Sequence, residues 1–365
     1  MKKIIFTAVI FIAVLFITVP FCASASDLSA EEEEISGQID EIMSDYDIGL
    51  SYGEISGLSF GELIDRVWES VSSQIAAPMK VLGTLLIVSV FTAVMKSFGE
   101  GILPAGVSSN LYDMICVMAA VAVITPQLLD VYGGALTSIE RIGGFLLVFV
   151  PVFAGITIAT GGIASGGIYN IMTLAASELF VGLSRSYLMP ILSVTAVLAV
   201  SGSVFPNTSV ESFVTLLKKI VTWGMTVAMT LFTGFVTLKC TLAGKTDGVA
   251  TKTAKFIMSG FVPIVGGAVS DAYSTVRGGF DVIRSTVGTV GVLAVVLIML
   301  PPILKILVFR AVMWIGTAVS EMLSAAPLVK LMKGLDSGLA IAQSVLICYS
   351  LMFVLCTAIL MQAIG

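Results

Sequence analysis

An all-α, multi-span membrane bundle is the fold class this chain predicts, on three observations. Apolar residues make up 57% of the 365 and charged residues 12%, against about a quarter charged in a soluble domain. Runs of about twenty mainly apolar residues, the length that crosses a bilayer as a helix, recur along residues 78–365. The chain also opens on Lys2 and Lys3, an apolar run over 4–21 and Ala23-Ser24-Ala25, the order of a secretory signal peptide.

Residues 1–25 therefore read as a signal peptide cleaved after Ala25. Cys22 follows Pro20 and Phe21 rather than the small residues of a lipoprotein signal, so lipidation is not expected. Export then places 26–77 outside the cytoplasm. From Asp27 to Glu69 there are thirteen acidic residues and one basic, Arg66, a balance that translocation tolerates far better than its inverse. The run Glu31 to Glu34 reads as solvated chain. Within the leader, 60–76 predicts an amphipathic helix: Phe60, Leu63, Ile64, Val67, Trp68, Val71 and Ile75 fall on one stripe, and Glu62, Asp65 and Glu69 lie on the other face. Its acidity favours a protein contact over an anionic lipid surface.

In the membrane domain, 78–365, spans are expected over 81–98, 111–129, 142–164, 187–205, 220–238, 287–304, 307–326 and 339–364. Two further segments, 168–183 (interrupted by Glu178) and 257–269, make the count eight or ten. Eight spans leave the lysine-rich stretch 239–255 in the cytoplasm and Lys218 and Lys219 outside, whereas ten reverse both placements.

At an offset of 112 residues the chain matches itself without a gap. Phe149-Val150-Pro151 pairs with Phe261-Val262-Pro263, Gly155 with Gly267, Gly166-Gly167 with Gly278-Gly279, and Pro190-Ile191-Leu192 with Pro302-Ile303-Leu304. This reads as a repeat of units near 142–243 and 254–355. Helices broken by Pro or Gly at corresponding places build midplane sites in many transport proteins. Pro151, Pro263, Gly266 and Gly267 are accordingly candidates for broken helices or a conduit lining. An independent secondary transporter or permease of a small solute is a reading that this repeat also supports.

Catalysis is not expected. The chain has no histidine, which removes Ser-His and Cys-His dyads and HExxH zinc sites, and it has no phosphate-binding GxxxxGK[ST] loop. Its five cysteines show no C-x-x-C spacing, so neither a disulfide framework nor a metal is implied, and no cofactor is called for. Ionisable groups at membrane depth remain: Glu178, Lys305, Arg310 and Glu321. Such groups are costly in hydrocarbon and either pair between helices or line a path.

The stretch from Lys245 to Val276 is the most distinctive in the chain. It reads TDG, KTAKFI, FVPIVGG and SDAYSTV in that order, a charged collar followed by a proline-broken apolar segment. These motifs at these spacings, together with the signal peptide, acidic leader and membrane region, resemble the stage III sporulation protein AE family of endospore-forming bacteria. The resemblance implies a membrane component of the multiprotein channel joining the mother cell to the engulfed forespore. It further implies a place in the mother-cell membrane around the forespore, and partners among the other stage III A operon proteins: a cytoplasmic ATPase, small membrane subunits and ring-forming subunits. On the resemblance and their charge, Asp247, Lys252 and Lys255 are candidates for docking a partner.

Overall fold

The computed structural model describes residues 76–102, 108–205, 210–261 and 266–363, with isolated positions before residue 76. The signal peptide, most of the acidic leader and Pro263 lie outside the described residues. The described chain is helical: α1 Ala76–Ile102, α2 Ser108–Ala159, α3 Ile163–Leu183, a π-helical turn Ser184–Leu188, α4 Met189–Val204, α5 Val210–Phe261, α6 Gly266–Met322 and α7 Ala326–Ala363.

The breaks between helices have local causes. After α2 the chain reverses through Gly161 at φ 92°, with Gly162 N–H donating to the Thr157 carbonyl at 3.0 Å and Gly161 N–H to Ile158 at 2.9 Å. This is a glycine-terminated helix end that satisfies carbonyls otherwise orphaned. The expected break at Pro151 is not there: α2 runs on through Pro151, which is exposed, while Phe149 and Val150 before it are buried. A proline costs a helix one N–H bond, and at an outward position its ring displaces no packed neighbour. The same device as at Gly161 closes α6, where Ala325 N–H donates to Ser320 at 2.9 Å and Ser324 takes φ 53°. Between α3 and α4 the helix does not stop but widens into a π turn just before Pro190. Proline at 190 has no N–H for the Ser186 carbonyl and its ring crowds that carbonyl, which a wider turn relieves.

Among the described residues six helices are long and apolar enough to cross a membrane, not eight or ten: Ala76–Met95, Asp113–Ala159, Ile163–Val204, Ser212–Thr253, Gly278–Met322 and Ala326–Gln362. Five of them have 37 to 47 residues. At 1.5 Å per residue these measure about 55–70 Å, roughly twice the hydrocarbon core of a bilayer.

Side-chain contacts fix how they lie. Helix α6 runs antiparallel to α7, with Arg310 bonded to Asp336, Gly316 against Met332, and Gly288 against Met361. The α3–α4 rod is antiparallel to α7 over its length, from Tyr169 at Thr357 and Ser177 at Tyr349 to Gly338 at Thr195 and Gly334 at Ala199. Helix α2 is parallel to α7, Tyr132 meeting Gly338 and Phe149 meeting Phe353. The sequence-predicted spans are therefore stacked end to end. Those at 142–164, 168–183, 220–238, 287–304 and 339–364 share one tier, and those at 81–98, 111–129, 187–205 and 307–326 share the other. The segment 257–269 crosses undescribed positions.

The first of these is an aromatic tier. Phe145, Phe149 and Phe153 stack along α2 at 5.2 and 5.8 Å between ring centroids, with Phe353 and Tyr169 edge-on to them and Phe180 stacked on Tyr349 at 4.4 Å. Glycine opposite makes room, since a Cβ on Gly291 would stand 2.0 Å from Phe149 Cζ and one on Gly288 2.9 Å from Phe153. In the second, the α1 tier, a Ser89–Ser320 hydroxyl pair at 2.8 Å joins α1 to α6. At the 112-residue offset α3–α4 with α5 corresponds to α6 with α7; Asp247 meets Ala164 in the first pair and Arg284 meets Met361 in the second.

Candidate functional site

Between the tiers lies a belt of charge, and its centre is Arg310. One residue of α6 in every 3.6 faces α7, which brings Arg310 inward, where it is only 3% exposed. Its Nε donates to Asp336 Oδ1 at 2.8 Å and its Nη2 to Oδ2 at 3.4 Å, while Nη1 donates to Gln343 Oε1 at 2.6 Å. The guanidinium also stands 5.2 Å from the ring of Trp314, within cation–π range. Asp336 and Gln343 are seven residues apart, two turns of α7, so one face of α7 presents an acceptor pair to the planar fork of the arginine. Lys218 of α5 is within electrostatic reach of both Asp336 and Arg310.

The rest of the belt is paired across helices. Lys305 Nζ bonds Asp130 Oδ2 at 2.6 Å, tying α6 to α2, and Arg185 in the π turn bonds Glu140 at 2.9 Å, tying the α3–α4 rod to α2. Glu321 and Lys333 pair at 2.8 Å near the α6–α7 turn. These charges interrupt the hydropathy of 130–141 and of 305–306, which a reading of spans leaves between them. Because Asp130, Glu140 and Lys305 each meet an opposite charge on a neighbouring helix, no turn to water is needed there and the helix continues. Tyr132 lies at the same height as Asp336 and is 1% exposed. Its hydroxyl rests on the bare Cα of Gly338, where a Cβ would stand 2.3 Å away.

Beside the hub, a groove of about 360 Å³ is lined by Trp314, Thr317, Glu321, Lys333, Asp336 and Ser337. It contains no histidine, cysteine or activated hydroxyl. It can hold helices in register, and it offers a fixed cation and carboxylate to whatever reaches it.

The other sequence candidates are dispersed. Glu178 is exposed on α3. Asp247 is not on the surface. It is 5% exposed, and its two oxygens accept from Ala164 N–H and Ser165 N–H at 3.0 Å and from Ser165 Oγ at 2.8 Å. It thereby supplies, from α5, the capping carboxylate that the first turn of α3 lacks in its own sequence. To dock a partner it would have to give up three hydrogen bonds. Lys252 is exposed. Lys255 and Gly266 and Gly267 belong to helices whose side-chain surroundings lie outside the described set at those positions. Asp130, Asp336 and Gln343 were not singled out from sequence. The signal for Asp336 is present, an acid ten residues into an apolar helix, but nothing local names Arg310 as its partner.

Comparison with known proteins agrees with the motif reading. The family model described as stage III sporulation protein AE (spore_III_AE) matches residues 44–364. Stage III sporulation protein AE of Bacillus subtilis (strain 168) is 22% identical over 302 residues, covering 83% of this chain and 75% of the relative. No solved structure matches this chain. With the match running from within the acidic leader through all six long helices, the chain belongs to the stage III sporulation protein AE family.

Proposed function

We propose that this protein is a membrane component of the channel complex that joins the mother cell to the forespore and sustains late forespore development. The observation that carries the reading is the family match over 44–364, which supports a role in sporulation. The long apolar helices support a multi-pass membrane location, here assigned to the mother-cell membrane surrounding the forespore. The partners proposed are the other stage III A operon proteins: the ATPase, the small membrane subunits and the ring-forming subunits. The chain itself is proposed to do no catalysis. Its charged belt acts by holding helices, and energy for transport comes from a partner.

The height of the molecule supports a multi-subunit setting. A bilayer core of about 30 Å covers one tier of a bundle about 55–70 Å long, and exposed apolar residues occur on both tiers, for example Ile87 and Phe91 on one and Leu147 and Leu231 on the other. Apolar surface outside the bilayer needs protein to cover it. The test is affinity purification of a tagged chain from sporulating cells in mild detergent. Co-purification of the operon partners is expected. Isolation of the chain alone, with solute uptake on reconstitution into liposomes, would instead establish the permease reading.

A further inference from the structure

In the α1 tier two exposed apolar features belong to different helices. One is the outer face of α1, where Met79, Ile87, Val90, Phe91 and Val94 are 42–70% exposed and fall within an arc of about 120° at 3.6 residues per turn. The other is a groove of about 490 Å³ between α2 and α4, walled by Val121, Thr125, Leu129, Tyr132, Val197 and Val200 among others. A convex apolar helix face and a concave apolar groove on one chain are complementary in chemistry.

They also match in height. Leu85 stands at Gly316, which meets Met332 of α7, while Tyr132 and Thr195 both meet Gly338 of α7. Counting along each helix from these contacts, Ile87 and Thr125 fall within about 2 Å of the same level, and so do Lys80 and Asp130. Lys80 is exposed on the same arc as the α1 stripe, and Asp130 is exposed at the belt end of α2. The apolar stripe is thus level with an apolar wall, and Lys80 is level with Asp130, whose carboxylate holds Lys305 through Oδ2 yet remains 70% exposed.

We infer that α1 of one copy of this protein docks in the α2–α4 groove of the next copy. The two surfaces are different patches of the chain, so the contact is head-to-tail and propagates from copy to copy. Equal height is the condition for such a contact to close as a ring in a single membrane plane. The inference stands apart from the channel reading, since a ring of this chain can exist with or without the operon partners.

The test is cysteine cross-linking in native membranes, with the endogenous cysteines replaced. Two differently tagged full-length chains are co-expressed, one carrying Ile87→Cys and the other Thr125→Cys, and oxidised. A disulfide-linked dimer bearing both tags is expected, with no dimer from either variant expressed alone. The pair Met79→Cys and Met114→Cys, about 27 Å apart in height, should give none. Adding Lys80→Glu to the Ile87→Cys chain should lower the yield about two- to five-fold, as for an exposed ion pair. No two-tag dimer at normal protein levels would overturn the inference and leave the groove to lipid. Self-linking of Ile87→Cys would overturn it in favour of a two-fold α1 contact, and linking of either variant to a different protein would overturn it in favour of a foreign subunit.

Discussion

Replacing Asp336 by alanine removes the carboxylate that receives two N–H bonds from Arg310. The arginine then stays buried, at 3% exposure, with Gln343 as its remaining acceptor and Lys218 nearby as an uncompensated like charge. Breaking one side of a buried pair costs about 3–5 kcal/mol, which in a domain of this size lowers Tm on the order of 5–10 °C. Removing both charges, Arg310→Met with Asp336→Leu, restores apolar packing between α6 and α7 and should return most of that loss. The assay is thermal unfolding of the four purified forms in one detergent, read as a double-mutant cycle. A coupling of roughly 2–3 kcal/mol is expected. Additive losses, with the double variant no more stable than either single one, would refute the claim that the pair ties α6 to α7.

Three further outcomes follow from the packing. Gly291→Ala places a Cβ 2.0 Å from Phe149 Cζ and should cost about 1–3 kcal/mol by overpacking, whereas Gly224→Ala, with nothing within 4 Å, should gain about 0.5–1 kcal/mol. Both are checked by Tm. Asp247→Asn keeps an acceptor but loses the charge at the α3 N-terminus, so a loss of about 1 kcal/mol is expected, seen as faster proteolysis near the Gly161–Gly162 turn. Ser324→Gly relieves a left-handed backbone that a side chain adopts at about 1–2 kcal/mol and should raise Tm by a few degrees.

Much of the secondary structure was legible in the chain. The apolar segments, the helical class and the motif order around Lys245 to Val276 were all readable, because helix formation in lipid is enforced locally by backbone hydrogen bonding. Stacking was not. Asp130, Glu140 and Lys305 read as interruptions because hydropathy scores each charge alone, while the fold pairs them across helices 175 and 45 positions apart; Arg310 read as a charge at membrane depth, with its partner 26 positions away unseen. The same limit hid Asp247, whose ligand is the backbone of residues 164 and 165. Pro151 shows the opposite error. The proline is a local signal for a break, but its outward position lets α2 continue, and the reversal falls at Gly161, where the backbone takes positive φ near the expected end of that span.

Stacked tiers are the central claim, and depth measurement along α2 tests it most directly. Spin labels placed singly at Met118→Cys and Leu147→Cys, exposed positions in the two tiers that lie about 43 Å apart along one helix, are read in native membranes against oxygen and a polar nickel relaxant. One label at hydrocarbon depth and the other outside it is the predicted result. Both at hydrocarbon depth would mean that α2 divides into two separate spans, and would contradict the account.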